Sequence, residues 1–186
     1  MRTGTEPEID AAVTAAENAL RAAAGLRAAV IVVSSEVASG RDRDRGGPVA
    51  VELLRGLGID TELDIVADDP DAIRTAIDRA AGGGVRVVFC CGGTGIGPHD
   101  HTSAVVADLI AFELPGVAEE IRRVGLSHTR QALISREVIG VLGRPDAPPV
   151  LLLAIPGSRG GIRDAIGVVG DLLGYIVDQL DGAGHA

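Results

Sequence analysis

The segment VRVVFCCGGTG, residues 85–95, decides the fold, because an apolar run passes directly into a glycine-rich loop. The run is rich in valine and shows no polar alternation, which is typical of a strand buried on both faces of a parallel sheet. We therefore predict a strand over residues 85–90. The loop is Gly92-Gly93-Thr94-Gly95, and its backbone N–H groups can point into one concavity, which predicts an anion site. The alternative is a plain glycine-rich turn.

Further strands and helices are predicted on both sides of this segment. Apolar, largely β-branched runs predict strands over residues 27–33, 63–66, 138–142 and 150–154. Apolar residues at helical spacing predict helices over 48–58, 69–82, 102–110, 117–124 and 160–178. This alternation indicates the α/β class, as a three-layer α/β/α sandwich with a mostly parallel central sheet.

The ends of four predicted strands point to the position of a site. Polar or glycine-rich segments follow Val33, Val66, Cys90 and Ile155. In sheets of this kind, ligands bind beyond the carboxyl ends of the strands. We therefore expect the four loops to converge at one edge.

The chain has 186 residues, the size of one ordinary domain. An alanine-rich stretch with helical spacing precedes Gly25, so we predict an N-terminal helical extension over residues 1–25. One domain is predicted over 26–181, with a flexible tail over 182–186. The sequence contains no internal repeat.

The composition excludes several classes of partner. A formal charge of -9, 2% aromatic residues and no Trp argue against a nucleic-acid-binding surface. The longest apolar run, residues 150–155, is too short to cross a bilayer, and the N-terminal stretch is acidic, unlike a signal peptide.

Cys90 and Cys91 are adjacent, so an ordinary disulfide between them would be heavily strained. We expect reduced thiols in a cytoplasmic protein.

Two carboxylates follow predicted strands at the expected edge. Asp100 precedes a predicted helix and could hold a divalent cation or cap that helix. Asp68 leaves another strand and could meet Asp100 around one Mg²⁺, whereas Asp69 is the better cap of the adjacent pair. His99 and His101 next to the two cysteines suggest zinc, but their spacing does not match the usual ligand patterns.

Two further loops carry polar groups. The stretch over residues 34–46 supplies hydroxyls and carboxylates among Arg41, Arg43 and Arg45, which could equally form a solvated charged surface. Pro156-Gly157-Ser158 precedes the last predicted helix, where the N-terminal backbone N–H groups and the helix dipole favour an anion. Alone, it would be an ordinary turn.

These segments recur together in one recognisable order. The matching positions are Ser39-Gly40 with Asp44 and Gly46, Asp68, Gly92-Gly93-Thr94-Gly95 with Asp100 and Thr102, Glu113-Leu114-Pro115-Gly116 with Glu119 and Arg122, Ser135-Arg136, and Pro156-Gly157-Ser158. From about Leu26 to Leu180 the chain resembles the MogA/MoaB family, the molybdopterin adenylyltransferases of molybdenum-cofactor biosynthesis, which includes the gephyrin G domain.

The resemblance implies transfer of AMP from Mg-ATP to the terminal phosphate of molybdopterin, with release of pyrophosphate. It implies that Asp68 and Asp100 are catalytic and bind Mg²⁺. Nucleotide and pterin phosphates would be held by Gly92, Gly93, Thr94, Gly95, Pro156, Gly157 and Ser158. The pterin side would be lined by Ser39, Gly40, Asp44, Ser135 and Arg136. It also implies a homo-oligomer, a trimer or hexamer, with other proteins of this biosynthesis as further partners.

The same resemblance leaves one alternative, because the family includes members without clear adenylyltransfer activity. The chain could be a catalytically inactive molybdopterin-binding carrier or scaffold. Ser35 stands where many relatives have Asp, Cys91 replaces a common Thr and Ala67 replaces a common Pro. None of these departures removes Asp68 or Asp100, which favours the enzyme.

Overall fold

The computed structural model describes residues 25–182. The strands are β1 (Arg27–Val33), β2 (Asp60–Val66), β3 (Val87–Cys91), β4 (Phe112–Glu113), β5 (Val138–Leu142) and β6 (Val150–Ile155). The helices are α1 (Ser35–Ala38), α2 (Gly47–Gly56), α3 (Pro70–Gly82), α4 (Thr102–Leu109), α5 (Pro115–Leu126), α6 (Arg159–Val169) and α7 (Leu173–Leu180). A 3₁₀ helix spans Arg130–Ile134.

The six strands form one sheet in the order β2-β1-β3-β6-β5-β4. The first four of these are mutually parallel, whereas β5 runs antiparallel to both of its neighbours. The predicted α/β fold with a mostly parallel central sheet is therefore confirmed. Since β1, β2, β3 and β6 point the same way, their carboxyl ends lie at one edge.

Two apolar cores lie on opposite faces of the sheet. Val30, Phe89 and Leu153 belong to the core that also takes residues from α2, α5, α6 and α7. Ile31 and Cys90 belong to the core that takes residues from α3 and α4. Successive strand residues point to opposite faces, and both faces carry an apolar core. The central strands are therefore apolar throughout, as the sequence pattern predicted.

The last predicted helix is wrong as a single element. The structure divides residues 160–178 into α6 and α7, with Gly170 as the C-cap of α6. A Cβ at Gly170 would lie 2.7 Å from the carbonyl oxygen of Ile166 and 2.8 Å from Leu57 Cδ1. Glycine is a poor helix former, and here it also permits close packing at the break.

Other boundaries differ less. The structure begins β2 at Asp60, three residues before the predicted start, and it adds the short elements α1 and β4. The predicted N-terminal helix lies outside the described residues, as does most of the predicted tail. Within residues 25–182, no helix is long and apolar enough to span a membrane.

The two cysteines are free thiols, and both are buried. Desolvation raises the pKa of Cys90 to about 12. The pKa of Cys91 is raised as well, first by burial and then by the neighbouring Cys90 and Asp44. Both side chains are therefore neutral thiols near pH 7 and act as small apolar core residues.

Gly92 joins the ends of three strands. Its N–H donates to the carbonyl oxygen of Ile155 at 3.0 Å, which ties the end of β3 to the end of β6. Its φ of +111° is a conformation that side chains rarely adopt, and a Cβ there would lie 2.5 Å from the carbonyl oxygen of Val33. Only glycine fits between these strand ends.

We predict that Gly92→Ala destabilises the domain by about 1–3 kcal/mol, because the backbone must leave this conformation or accept the contact. Gly167→Ala is the matched control, since Gly167 lies within α6 and nothing would contact its added Cβ. That variant should gain about 0.5–1 kcal/mol from reduced unfolded-state entropy. Urea unfolding followed by circular dichroism measures both, and equal stability of the two variants would contradict the account of Gly92.

Candidate active site

The loops that follow β1, β2 and β3 meet in an open cleft of about 570 Å³, called here the acidic cleft. It is lined by Val33, Ser34, Ser35, Glu36, Asp68, Gly97, Pro98, His99 and Asp100. Asp68 and Asp100 thus lie in one cleft although 32 positions separate them in the sequence. This convergence was predicted from the rule that ligands bind beyond the carboxyl ends of parallel strands.

A reciprocal pair of hydrogen bonds holds Asp68 in place. The Ser35 N–H donates to Asp68 Oδ2 at 2.7 Å, and the Asp68 N–H donates to Ser35 Oγ at 3.0 Å. The pair fastens the loop after β2 to the loop after β1. The next residue, Asp69, caps α3 by accepting from the N–H groups of Asp71 and Ala72, as predicted.

Asp100 is held within its own loop. Its Oδ2 accepts from the N–H of Gly97 at 2.7 Å, and a Cβ at Gly95 would lie 2.6 Å from the same oxygen. The N-cap of α4 is His101, which makes no capping hydrogen bond through its side chain. The alternative in which Asp100 merely caps the helix is therefore wrong.

Arg136, which follows the 3₁₀ helix, donates hydrogen bonds to this loop and holds it in place. Its Nε donates to the carbonyl oxygen of Gly95 at 2.6 Å and its Nη2 to that of Asp100 at 2.7 Å. Its backbone N–H donates to the carbonyl oxygen of Thr94 at 2.8 Å. The pterin contact of Arg136 that the family resemblance implies stays a prediction. The structure shows a guanidinium that fixes the turn carrying Asp100.

The glycine-rich loop has free donors. The N–H groups of Gly93, Thr94 and Gly95 donate no hydrogen bond within residues 25–182. Thr94 Oγ1 lies 3.3 Å from Ser135 Oγ, so this loop also contacts the segment after the 3₁₀ helix. Adjacent unpaired N–H groups at the end of a strand are the backbone feature that binds phosphate oxygens.

The Pro156-Gly157-Ser158 turn lies beside that loop. A Cβ at Gly157 would be 3.0 Å from the Cα of Gly92, so the two backbones are in contact. Ser158 is the N-cap of α6, and its Oγ accepts from the N–H of Gly161 at 3.1 Å. The turn therefore presents the amino end of an 11-residue helix at the same edge.

A second cavity, of about 230 Å³, lies between α5 and α6 and is called here the α5–α6 cavity. Its lining consists of Ile121, Gly125, His128, Thr129, Gln131, Ala132, Ser135, Glu137, Pro156, Ser158, Gly160, Gly161 and Asp164. The buried Glu137 carboxylate pairs with Arg122 at 3.0 Å. Sequence reasoning had placed only Ser135, Pro156 and Ser158 near a ligand, because helical spacing alone did not show which helices would pack together.

A third cavity, of about 400 Å³, is called here the arginine cavity. It is lined by Val32, Val33, Ser34, Val37, Asp42, Arg43, Asp44, Arg45, Gly46, Cys91, Gly157, Ser158 and Arg159. Asp44 Oδ1 accepts from the N–H groups of Gly46 and Gly47, both at 2.9 Å, while its Oδ2 is buried and has no partner among the described residues.

Ser39 and Gly40 line none of these three cavities. The Ser39 hydroxyl donates to the carbonyl oxygen of Ser35 at 2.7 Å, at the end of α1. Gly40 has a φ of +74°, and nothing would contact its added Cβ. The contacts of both residues serve the turn after α1, so their pterin contact stays a prediction.

The acidic cleft suits a hard divalent cation. Asp68 and Asp100 each use Oδ2 in a backbone hydrogen bond, and neither Oδ1 accepts one from residues 25–182. Carboxylate oxygens are the ligands that Mg²⁺ prefers, and Mg²⁺ commonly binds through one or two carboxylates together with water and substrate phosphates. The described residues contain no group of three or more His, Cys, Asp or Glu side chains that could hold a metal ion, so the zinc alternative finds no support among them.

Comparison with known proteins shows the family to which this fold belongs. Residues 29–174 match the model of a family described as "Probable molybdopterin binding domain". The molybdenum cofactor biosynthesis bifunctional protein of Chlorobaculum tepidum is 33% identical over 161 residues, 86% of this chain and 50% of that protein. Molybdenum cofactor biosynthesis protein B of Staphylococcus carnosus is 30% identical over 145 residues, 75% of this chain and 82% of that protein. The chain thus spans about half the length of the bifunctional relatives it matches.

Solved structures give the same result. The structure of a molybdopterin biosynthesis protein from Mycobacterium abscessus has a TM-score of 0.76 at 34% identity, covering 84% of this chain and 96% of that chain. A MogA structure has a TM-score of 0.76 at 36% identity, covering 83% of this chain and 99% of that chain. The chain therefore belongs to the MogA/MoaB family of molybdenum cofactor biosynthesis proteins.

Proposed function

We propose that this chain is a molybdopterin adenylyltransferase that uses ATP and Mg²⁺. An oxygen of the molybdopterin phosphate would attack the α-phosphorus of ATP, and the bond from that phosphorus to the β-phosphate oxygen would break. The products are adenylylated molybdopterin and pyrophosphate. One observation carries the proposal: Asp68 and Asp100, from two different strand ends, line one cleft beside two backbone turns with unpaired N–H groups.

The reaction has requirements that this edge can meet. Nucleotidyl transfer, like phosphoryl transfer, depends mainly on positioning and on neutralising charge, so it needs no covalent nucleophile from the protein. Backbone N–H groups of residues 93–95 in the glycine-rich loop and of the turn before α6 donate no hydrogen bond within residues 25–182, and under this proposal they would hold phosphate oxygens. Fixed donors of this kind need little reorganisation when charge develops on the phosphates.

Asp68 and Asp100 are the residues we assign to Mg²⁺, on the fit described above. When bound, Mg²⁺ would supply neutralisation of the triphosphate charge. The reciprocal bonds to Ser35 and the brace from Arg136 would keep the two carboxylates in position as substrates enter. The protein's own contribution is thus a rigid pair of acidic ligands.

We assign the pterin to the α5–α6 cavity. It is more enclosed than the acidic cleft and contains Ser135, which contacts Thr94 of the glycine-rich loop. Its lining combines apolar side chains with the amide of Gln131 and the hydroxyl of Thr129, a mixture suited to a flat heterocycle with polar edges. The pterin phosphate would then extend toward the strand ends.

Pyrophosphate release tests the proposal directly. The full chain is incubated with molybdopterin, ATP and Mg²⁺, and pyrophosphate is measured together with direct molybdopterin binding. We expect release that requires all three components. Molybdopterin binding without pyrophosphate release would refute the adenylyltransferase and support the carrier or scaffold.

Asp100→Asn separates catalysis from folding. The asparagine keeps an oxygen that can accept from the Gly97 N–H but removes the charge, so turnover should fall by about 100-fold or more. Thermal melting should change little, as should molybdopterin affinity, because that pocket lies elsewhere. Asp69→Asn is the matched control, since Asn caps helices as well as Asp and Asp69 does not line the cleft. Near-normal turnover of Asp100→Asn would remove Asp100 from the mechanism.

We also propose that the chain assembles into a trimer or hexamer. Edge strand β2 exposes Leu63 and Ile65, and α7 exposes Tyr175, with relative exposures of 43%, 38% and 55%. Leu63 and Ile65 lie two positions apart and therefore share one face of the strand, and adjoining exposed apolar side chains mark surfaces that pack against another chain. Sedimentation velocity should give the mass of one of these assemblies, and a monomer mass that does not change with concentration would contradict it.

A further inference from the structure

The arginine cavity differs in charge from the cavities beside it. Its charged lining has three guanidinium groups, those of Arg43, Arg45 and Arg159, and two carboxylates, those of Asp42 and Asp44. It therefore carries a positive surplus in a chain whose formal charge is -9. Such a local reversal of sign favours an anionic ligand.

The two neighbouring cavities are acidic. The charged side chains of the acidic cleft are Glu36, Asp68 and Asp100, with no Lys or Arg. Those of the α5–α6 cavity are Glu137 and Asp164, apart from His128. A polyphosphate lying across this edge would therefore find its cationic side chains in the arginine cavity.

Two of the guanidinium groups are unpaired. Arg45 lies 3.9 Å from Asp42 and so has a carboxylate partner. The side chains of Arg43 and Arg159 form no hydrogen bond or ion pair with any residue between 25 and 182. Both line the same cavity, and unpaired guanidinium groups can bind phosphate oxygens with paired N–H donors.

The backbone on one wall adds donors of the same kind. The N–H groups of Gly157, Ser158, Arg159 and Gly160 donate no hydrogen bond within the described part of the chain. They lie at the amino end of α6, where the helix dipole also favours negative charge. Asp44 also lines this cavity, and its Oδ1 accepts from the N–H groups of Gly46 and Gly47. A Cβ at Gly46 would lie 2.7 Å from the carbonyl oxygen of Gly157, so the loop that carries Asp44 is in contact with the turn before α6.

We propose that Arg43 and Arg159 form a clamp for a phosphate or pyrophosphate group bound over the amino end of α6. The cavity shares Val33 and Ser34 with the acidic cleft and Ser158 with the α5–α6 cavity, so it lies between them. The clamp thus occupies the position where nucleotide and pterin phosphates would meet. That assignment of the anion to reacting phosphates rests on the proposed function, whereas the anion site itself does not.

Binding of inorganic tripolyphosphate, without Mg²⁺, tests the clamp by isothermal titration calorimetry. The variants are Arg43→Gln, Arg159→Gln and the double variant. Arg41→Gln is the matched control, because Arg41 belongs to the same loop but lines none of the three cavities. We expect the double variant to lose affinity by about tenfold or more and the control to stay close to the wild type. The three substituted residues are all exposed, and melting curves verify the folding of each variant.

Equal tripolyphosphate affinity of the double variant and the wild type would overturn the clamp, as would absence of binding to the wild type. Kinetics identify the source of the anion: a raised KM for ATP indicates the nucleotide phosphates, and a raised KM for molybdopterin indicates the pterin phosphate. Arginine-dependent tripolyphosphate binding in a chain that releases no pyrophosphate would support the clamp and refute the adenylyltransferase. Pyrophosphate release with unchanged kinetics in the double variant would refute the clamp and support the adenylyltransferase.

Discussion

The end of β3 packs closely between the ends of β1 and β6. This close packing is possible because Gly92, directly after β3, has no side chain. The Gly92 N–H donates to the carbonyl oxygen of Ile155, and a Cβ at Gly92 would collide with the carbonyl oxygen of Val33. Because those three strands are parallel, the loops that leave them start from one line. That alignment places the glycine-rich loop beside the Pro156-Gly157-Ser158 turn, and β2, which is parallel to β1, brings Asp68 to the same edge.

Charge is separated along the same edge. Carboxylates line the cleft on the β2 side, arginines and helix N–H groups line the next cavity, and a more enclosed pocket follows between α5 and α6. An acidic chain would otherwise repel the polyanionic substrates of nucleotidyl transfer. Under the proposed function, a cation in the acidic cleft and the two unpaired arginines would neutralise different parts of one phosphate chain.

Much of this could be predicted from sequence, because the central strands are continuous apolar runs and each ends in a polar or glycine-rich segment. The pairing of Asp68 and Asp100 in one cleft follows from that rule alone. The brace from Arg136 could not be predicted, since it depends on a contact between distant segments. The break at Gly170 was missed because the apolar spacing continues through it, and the close contact with Leu57, which only glycine allows there, comes from a distant part of the chain. The α5–α6 cavity was missed for a similar reason, as helical spacing gives a face but not its partner.

The most direct test of the account is a crystal structure of the chain with Mn²⁺ and an ATP analogue whose α,β-bridge cannot be cleaved. Mn²⁺ replaces Mg²⁺ at oxygen sites and is located by its anomalous signal. We expect the ion in the acidic cleft in contact with Asp68 and Asp100, and phosphate oxygens of the analogue on the adjoining backbone N–H groups. An ion bound elsewhere, with both carboxylates free and the phosphates away from this edge, would contradict it.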